Sequence, residues 1–310
     1  MLFSQLNYFV AVAQERHFAR AAERCHISQP ALSSAIAKLE RELNVTLINR
    51  GRSFEGLTPA GERLAVWAKR ILAEHDAFKA EAQAVQSGLT GTLRLGAVPT
   101  ASTTASLVLS SFCSAHPMAK VQISSRLPAT ELYRRLQEFE VDAAIVHPVP
   151  QHNQDIALLP LYEERYVLLS RPEMLLPGAT TLGWPDAAQL PLALLTGDMR
   201  DRQVIDAVFE ERGITVSPQV ETDSVASLFA QVASGNWATI VPHTWLWMTS
   251  ARGEAQVVEL IDPILKAPIM LATKATEPGT PLVRALVASA QQLALDDFFD
   301  AQLRSIVRRR

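Results

Sequence analysis

Residues 17–43 read HFARAAERCHISQPALSSAIAKLEREL, and the apolar residues in this stretch predict two helices joined by a short turn. Apolar positions recur at the i, i+3, i+4 and i+7 spacing, which places them on one buried face of each helix. These positions are Phe18, Ala21, Ala22 and Cys25 in the first helix, and Leu32, Ala35, Ile36, Leu39 and Leu43 in the second. Because both helices have an apolar face, we expect them to share one core.

The second helix of this pair carries polar side chains on the face that points away from the core. Ser28 is a suitable N-cap and Pro30 is tolerated in a first helical turn, so the helix is predicted to begin near Gln29. The outward face holds Gln29, Pro30, Ser33, Ser34, Ala37, Lys38 and Arg41. A helix with this face fits the major groove of duplex DNA. A small helical bundle with no DNA role is the alternative at this point.

The flanking segments extend the same interpretation. An upstream helix over residues 5–15 completes a three-helix core, and residues 46–58, TLINRGRSFEGLT, predict two short strands around a basic tip. Such a tip is a wing, from which Arg50 and Arg52 would contact the DNA backbone or the minor groove. The alternative for both arginines is an ordinary solvated loop.

The N-terminal sequence resembles the winged helix-turn-helix of LysR-type transcriptional regulators. The resemblance is carried by FVAVAQERHFARAAERCHI at residues 9–27, SQPALSSAIAKLERELNVTLINR at residues 28–50 and LTPAGE at residues 57–62. It implies DNA-binding roles for Ser28, Gln29, Pro30, Ser33, Ser34 and Lys38 on the helix, and for Arg50 and Arg52 on the wing.

Four positions depart from the family pattern, and one of them is Phe139, which stands where the family commonly has glycine. Ser34 stands where family members often have arginine, which predicts a different base preference or weaker operator binding. Ile48 and Asn49 replace the commoner aromatic and acidic residues before the wing.

Charge is distributed unevenly along the 310 residues, although the formal net charge is only -3. Residues 1–70 hold 10 Lys and Arg against 6 Asp and Glu, whereas the rest of the chain holds 19 against 26. A basic head on an acidic body is the arrangement expected of a DNA-binding protein.

Targeting signals and paired cysteines are not apparent. No apolar run approaches the ~20 residues that cross a bilayer, and the N-terminus lacks a secretory pattern, so we expect a cytoplasmic protein with no membrane partner. The two cysteines, Cys25 and Cys113, fall on predicted helices of different domains. They are expected to be buried free thiols, without a disulfide or a redox switch.

A long helix is predicted over residues 59–88, with Thr58 as its N-cap and Gly88 at its end. Apolar residues at Leu64, Ile71, Phe78 and Val85 repeat every seven residues, as in a helix that pairs with another helix. The resemblance implies that the partner helix belongs to a second subunit of a homodimer or homotetramer. The alternative is a helix that lies on its own domain.

From Gly91 the chain alternates short strands and helices, which predicts a parallel α/β sheet. In the first set, strands are expected at 92–98, 120–127 and 142–147, with helices at 104–116 and 130–139. In the second set, strands are expected at 191–196, 216–222 and 237–242, with helices at 201–213 and 225–235. Strands at 166–170 and 267–274 lead into and out of the second set, and a last helix after Thr280 returns to the first.

Two crossings between the sets predict a two-lobed body with a cleft. This resembles the type II periplasmic-binding-protein fold of the LysR-type effector domain. The predicted units are a winged helix-turn-helix at 1–58, a linker helix at 59–88 and an effector-binding domain at 91–310. Within that domain, lobe I takes 91–165 and 268–310, and lobe II takes 166–267.

A small molecule is expected in the cleft, beyond the carboxyl ends of the strands. Thr100, Ser102 and Thr103 precede a helix, where free N–H groups and hydroxyls favour an anion. The alternative is that these hydroxyls only cap the helix. Family position adds Thr130, His147, Thr196 and Arg202 to the effector site. Arg202 would balance the negative charge, although it also lies in a charge run, and His147 is equally compatible with a satisfied strand-end histidine.

No catalytic motif, metal-ligand spacing or cofactor signature is recognisable in the sequence. The chain is therefore interpreted as a DNA-binding transcriptional regulator, not an enzyme, with no cofactor and no metal site. It is expected to be controlled by a small anionic metabolite bound between the lobes. Promoter DNA and a second copy of the chain are expected partners, and RNA polymerase is a further candidate. A solute receptor, or an enzyme with an accessory head, is the alternative class.

Overall fold

The computed structural model describes residues 1–50, 54–149, 155–248 and 255–307. Its helices are α1 (Phe3–Glu15), α2 (Phe18–Arg24), α3 (Gln29–Leu43), α4 (Pro59–Ser87), α5 (Ala105–Ala115), α6 (Ala129–Gln137), α7 (Trp184–Ala187), α8 (Arg200–Glu211), α9 (Val225–Ser234), α10 (Pro281–Gln291) and α11 (Leu295–Val307). Its strands are β1 (Ile48–Arg50), β2 (Phe54–Leu57), β3 (Gly91–Ala97), β4 (Ala119–Ser124), β5 (Ala143–Val146), β6 (Ile156–Ser170), β7 (Thr181–Gly183), β8 (Ala193–Leu195), β9 (Val220–Thr222), β10 (Thr239–Pro242), β11 (Gln256–Ile261) and β12 (Lys266–Lys274).

The N-terminal head is a three-helix core with an antiparallel strand pair, as the periodicity predicts. Leu32, Ile36 and Leu39 of α3 are fully buried against α1 and α2. The Ser28 hydroxyl accepts a hydrogen bond from the Ala31 N–H at 3.4 Å, which confirms the predicted N-cap. Strands β1 and β2 form the predicted wing, while its tip at 51–53, including Arg52, lies outside the described residues.

Helix α4 begins and ends where its cap residues predict. The Thr58 hydroxyl accepts a hydrogen bond from the Gly61 N–H at 2.9 Å and donates one to the Thr46 carbonyl at 2.7 Å. Gly61 is needed for this close approach, since a Cβ at that position would lie 2.0 Å from the Leu47 carbonyl oxygen. The cap and the glycine together hold the start of α4 against the segment that leads into the wing.

The body contains one large mixed sheet with the order β4-β3-β5-β12-β6-β11-β7, and β10 also pairs with β6. Strands β4, β3 and β5 are parallel, as predicted. The remaining strands make the sheet mixed, because β12 runs antiparallel to both β5 and β6, and β6 runs antiparallel to β10 and β11, while β11 and β7 are parallel. Two long crossing strands must run in opposite directions to leave the first lobe and return to it.

Strand β6 joins the two lobes. Its first part pairs with β12 in the first lobe, and its last part pairs with β10 and β11 in the second. The second lobe also contains a small parallel pair, β8 and β9. Helix α11 bridges the lobes, because Phe299 packs in the first-lobe core and Leu303 packs in a second-lobe core.

The expected burial of both cysteines is corrected by the structure. Both cysteines are free, as expected, but Cys113 is exposed and Cys25 is only half-buried. Cys113 lies on the outer face of α5, next to the buried Phe112, so its position on a helix did not determine its burial.

Phe139, at the glycine position of the family pattern, adopts a φ of 57°. The left-handed turn after α6 is therefore kept without glycine, and the Lys274 ammonium lies 5.1 Å from the Phe139 ring centroid.

Among the described residues, no helix combines the length and apolar character required to span a membrane.

Candidate functional site

The outward face of α3 is the candidate DNA interface. Ser28, Gln29, Pro30, Ser34 and Lys38 are exposed, and Ser33 is half-buried. The opposite face is closed by the core, so the polar side chains of the exposed face point to the surface and not into the head. This geometry matches a recognition helix that enters a major groove with its first turns near base edges.

The wing is held at a fixed position relative to α3. Glu40 accepts hydrogen bonds from the backbone N–H groups of Leu47 at 2.9 Å and Ile48 at 3.2 Å. Because Glu40 belongs to α3, these two bonds tie the start of β1 to the recognition helix. Arg50 is the last residue of β1, and the wing tip follows it directly.

The heptad residues of α4 divide into two groups. Leu64 and Ile71 pack against the core of the head, whereas Phe78 is 75% exposed and Val85 is 82% exposed. Trp67 on the same helix is 58% exposed. Ion pairs also join α4 to the first lobe, between Lys69 and Glu138 at 2.5 Å and between Glu81 and Arg284 at 2.8 Å. Helix α4 therefore lies partly on its own chain and leaves large apolar side chains uncovered.

Several predicted effector residues carry polar atoms that have no partner among the described residues. Thr103 Oγ1, Thr196 Oγ1 and His147 Nε2 are buried and have no hydrogen-bond partner among the described residues. The Thr100 carbonyl accepts a hydrogen bond from the indole of Trp245 at 2.9 Å, which links the loop before α5 to the second-lobe core. Ser102 donates to the Pro99 carbonyl at 2.7 Å.

Two other predicted effector residues, Thr130 and Arg202, do not carry buried polar atoms without partners. Thr130 is exposed at the start of α6. Arg202 is buried within the second lobe, where its guanidinium pairs with Asp206 at 2.7 Å and with Glu221 at 2.5 Å and donates to the Leu195 carbonyl. Its positive charge is therefore already balanced by the lobe itself.

Two acidic residues that the sequence analysis did not single out reach the interior between the lobes. Glu164 is 0% exposed and Asp201 is 1% exposed. With His147 they form a cluster in which one ligand atom from each side chain lies within 4.8 Å of the other two. The signal in the sequence was weak, because Glu164 lies in the charged run Glu163-Glu164-Arg165 and Asp201 lies in the charged run beside Arg202.

Hydroxyl groups orient both carboxylates of this cluster. Tyr166 donates a hydrogen bond to Asp201 Oδ1 at 2.8 Å, and Thr244 donates one to Glu164 Oε1 at 3.1 Å. The second oxygen of each carboxylate, Asp201 Oδ2 and Glu164 Oε2, has no hydrogen-bond partner among the described residues.

Burial dominates the electrostatics of this region. Desolvation, followed by the nearby Asp201 carboxylate, raises the pKa of Glu164 well above its usual value. Desolvation lowers the pKa of His147, although the charge of Asp201 opposes the shift. Desolvation and the two acids also raise the pKa of Tyr166. The region therefore favours a neutral imidazole and one protonated carboxyl when nothing else is bound.

Comparison with known families decides the class of this architecture. The family model described as "LysR substrate binding domain" matches residues 86–294, and the model described as "Bacterial regulatory helix-turn-helix protein, lysR family" matches residues 3–62. The chain belongs to the LysR-type transcriptional regulators. This family consists of regulators and not of enzymes, so the solute-receptor and enzyme alternatives fall away.

Individual relatives support the same placement. A probable hydrogen peroxide-inducible genes activator of Streptomyces viridosporus is 35% identical over 277 residues, which is 87% of either chain. The dual regulator OxyR of Escherichia coli K12 is 28% identical and is matched over 99% of this chain and 100% of its own.

The solved structure of a full-length OxyR variant from Pseudomonas aeruginosa superposes with a TM-score of 0.74 at 26% identity. The match covers 95% of this chain and 99% of that one. The two-lobed fold predicted for the body is thereby confirmed for this LysR-type regulator.

Proposed function

We propose that this LysR-type regulator binds promoter DNA through α3 and the wing, and that a small anionic molecule between the lobes controls it. The exposed polar face of α3 carries the first part of the proposal. We assign the DNA-binding head to residues 1–58, the linker helix to 59–88 and the effector-binding domain to 91–310.

Within the head, different residues are assigned different tasks. Gln29, Ser33 and Ser34 are proposed to contact base edges, with Ser28 and Pro30 beside them at the start of the helix. Lys38 and the wing residues Arg50 and Arg52 are proposed to contact the DNA backbone. The absence of arginine at position 34 leaves a small hydroxyl where a longer, charged side chain would reach further into the groove.

The effector proposal is supported by the unpartnered hydroxyls of Thr103 and Thr196. The first precedes α5 in one lobe, and the second follows β8 in the other. The N-terminus of α5 adds free N–H groups and the positive end of a helix dipole. Glu164 and Asp201 work against an anion unless their charge is neutralised, and the raised pKa of Glu164 supplies part of that neutralisation.

A homodimer or homotetramer is proposed on the exposed apolar side chains of α4. Trp67, Phe78 and Val85 are large apolar side chains exposed along one long helix, and a second helix packed on α4 would cover them. Pairing through α4 would present two recognition helices to two half-sites on one duplex. A ligand that binds one lobe angle better than another would then shift the population of head arrangements.

The relatives named for hydrogen peroxide suggest a peroxide response as an alternative function, but the positions of the cysteines in this chain do not favour it. This chain has two cysteines, and neither belongs to the buried cluster between the lobes. Cys25 follows α2 in the head, and Cys113 lies on the outer surface of α5. A peroxide signal acting on a thiol between the lobes is therefore not supported.

The test is a titration of the full-length chain against DNA from upstream of its own gene. At about 150 mM salt, specific binding by such a regulator is expected to exceed binding to a shuffled duplex by at least about 1,000-fold. Equal affinity for the two duplexes would overturn the proposed function. A thermal-shift screen with small organic acids and inorganic anions would then identify the effector class.

A further inference from the structure

The buried cluster of His147, Glu164 and Asp201 is shaped like a metal site. We propose that it binds one divalent first-row transition-metal ion and that the ion links the two lobes. This goes beyond the anionic effector proposed above and does not depend on DNA binding. It rests on the positions of three side chains and on their unsatisfied atoms.

Each of the three side chains is fixed through one atom and leaves another atom free. Glu164 and Asp201 each use one carboxylate oxygen to accept a hydrogen bond from a hydroxyl, Thr244 and Tyr166 respectively. His147 donates to the backbone carbonyl of Pro268. Among the described residues, Glu164 Oε2, Asp201 Oδ2 and His147 Nε2 have no hydrogen-bond partner. Outer hydrogen bonds of this kind orient metal ligands and fix the histidine tautomer.

Buried groups of this kind require a partner. All three side chains are more than nine-tenths buried, and two facing carboxylates in such a place repel each other and lose their hydration. A divalent cation would neutralise both charges and give each of the three unpartnered atoms a bond to the ion. A proton shared between the two carboxyls is the competing explanation, and it would leave His147 Nε2 unsatisfied.

The donor set indicates the class of ion. One imidazole nitrogen with two carboxylate oxygens suits Zn²⁺, Mn²⁺ or Fe²⁺, whereas Mg²⁺ and Ca²⁺ prefer oxygen ligands alone. One ligand atom from each of the three side chains lies within 4.8 Å of the other two. Metal–ligand bonds of about 2.0–2.2 Å would bring them to roughly 3–4 Å, so binding draws the three elements slightly together.

The three ligands come from different parts of the body. His147 directly follows β5 in the first lobe, Glu164 belongs to the crossing strand β6, and Asp201 lies in the first turn of α8 in the second lobe. An ion bound by all three would hold the lobes at one angle. By linkage, anything that changes that angle would change the affinity for the ion by the same factor.

The experiment is a calorimetric titration of metal-free full-length protein with Zn²⁺, without DNA or organic anions. Wild-type protein is expected to bind one ion per chain at this site. Glu164→Gln and Asp201→Asn are each expected to weaken binding by at least about 100-fold, because each removes a direct ligand. Co²⁺ supplies a second readout, since its visible absorption reports a bound nitrogen and oxygen ligand set, and the spectrum should be lost in both variants.

Glu163→Gln is the matched control, because Glu163 is the neighbour of Glu164 on β6 but is exposed and paired with Lys266. It should bind Zn²⁺ like wild type. Metal-free Glu164→Gln should melt at or above the wild-type temperature, which separates loss of binding from loss of folding. The proposal is overturned if wild type binds no stoichiometric ion, or if Glu164→Gln and Glu163→Gln bind equally. Specific DNA binding by the same samples tests the proposed function separately.

Discussion

The recognition helix and the region between the lobes place their polar groups in opposite environments. On α3 the candidate DNA-binding side chains face solvent over a closed apolar core, and the one buried polar residue among the described residues of the head, Gln5, is hydrogen-bonded. Between the lobes, Glu164 and Asp201 are buried, and each leaves one oxygen without a partner among the described residues.

The difference separates two ways of building a binding surface. Exposed groups on α3 remain hydrated until DNA arrives, so they cost the folded state little. Buried groups between the lobes lose their hydration in the folded state, and only a bound ligand replaces the lost interactions. A substitution of a binding residue should therefore change function without changing stability in the head, whereas in the body it should change both.

The largest expected effect is in the core of the head. Ile36→Ala removes a fully buried side chain and should lower the free energy of unfolding of the head by about 2–5 kcal/mol. Ser34→Ala on the exposed face of the same helix should change it by less than about 0.5 kcal/mol. Calorimetric melting of both variants checks this prediction, and equal losses would show that the two faces of α3 are misassigned.

The next effect is a pH dependence confined to the body. Burial, then the charge of Arg165, lowers the pKa of His243 to about 4. The unfolded chain takes up a proton near pH 6.5 that the folded chain refuses until about pH 4. Stability from this group is complete above about pH 6.5 and declines by about 3 kcal/mol as the pH falls to about 4. Urea unfolding of wild type and His243→Gln should diverge over this range, and parallel profiles would contradict the assignment.

A smaller effect is expected on DNA binding, where substitutions of base-contacting and backbone-contacting residues in the head should give different results. Ser33→Ala should relax the sequence preference by about 1–3 kcal/mol, because it removes a side chain placed near base edges. Arg52→Ala should weaken binding to all duplexes and reduce the salt dependence by about one unit. Fluorescence anisotropy at several salt concentrations checks both variants. Identical binding by the two variants would contradict the assignment of base contacts to Ser33 and backbone contacts to Arg52.

The smallest effect contrasts two neighbouring glutamates. In metal-free protein at neutral pH, Glu164→Gln should raise the free energy of unfolding by about 1 kcal/mol, because it removes a buried ionisable group. Glu163→Gln loses only an exposed ion pair with Lys266 and should cost less than about 1 kcal/mol. Chemical denaturation gives both values. A destabilised Glu164→Gln beside an unaffected Glu163→Gln would mean that the cluster stabilises the metal-free fold.

The head was predictable because its signals are local. The apolar spacing of α2 and α3, the Ser28 cap and the Thr58 cap each depend on residues within one or two turns. The two described strands of the wing were predictable in the same way, from the short segment after α3. The family resemblance then assigned roles to the exposed positions.

The body was less predictable because its features are assembled from distant segments. Strand β11 and helix α11 were missed, and the direction of the crossing strands depends on pairings across the sheet. Within the run GDMRDRQ, the sequence favoured Arg202 as the ligand-facing residue, whereas Asp201 carries the unsatisfied atom. Adjacent helical positions face different directions, and charge alone does not indicate which one faces the cleft.

The central claim is that the exposed face of α3 reads bases in the major groove. Guanine N7 lies in that groove, so protection of N7 from methylation by bound protein measures the contact directly. Wild type bound to its own upstream DNA should protect guanines in two half-sites about one or more helical turns apart. Ser33→Ala should lose protection at individual bases, while Arg52→Ala keeps the pattern. A bound complex with no N7 protection, or with protection unchanged by Ser33→Ala, would contradict the account.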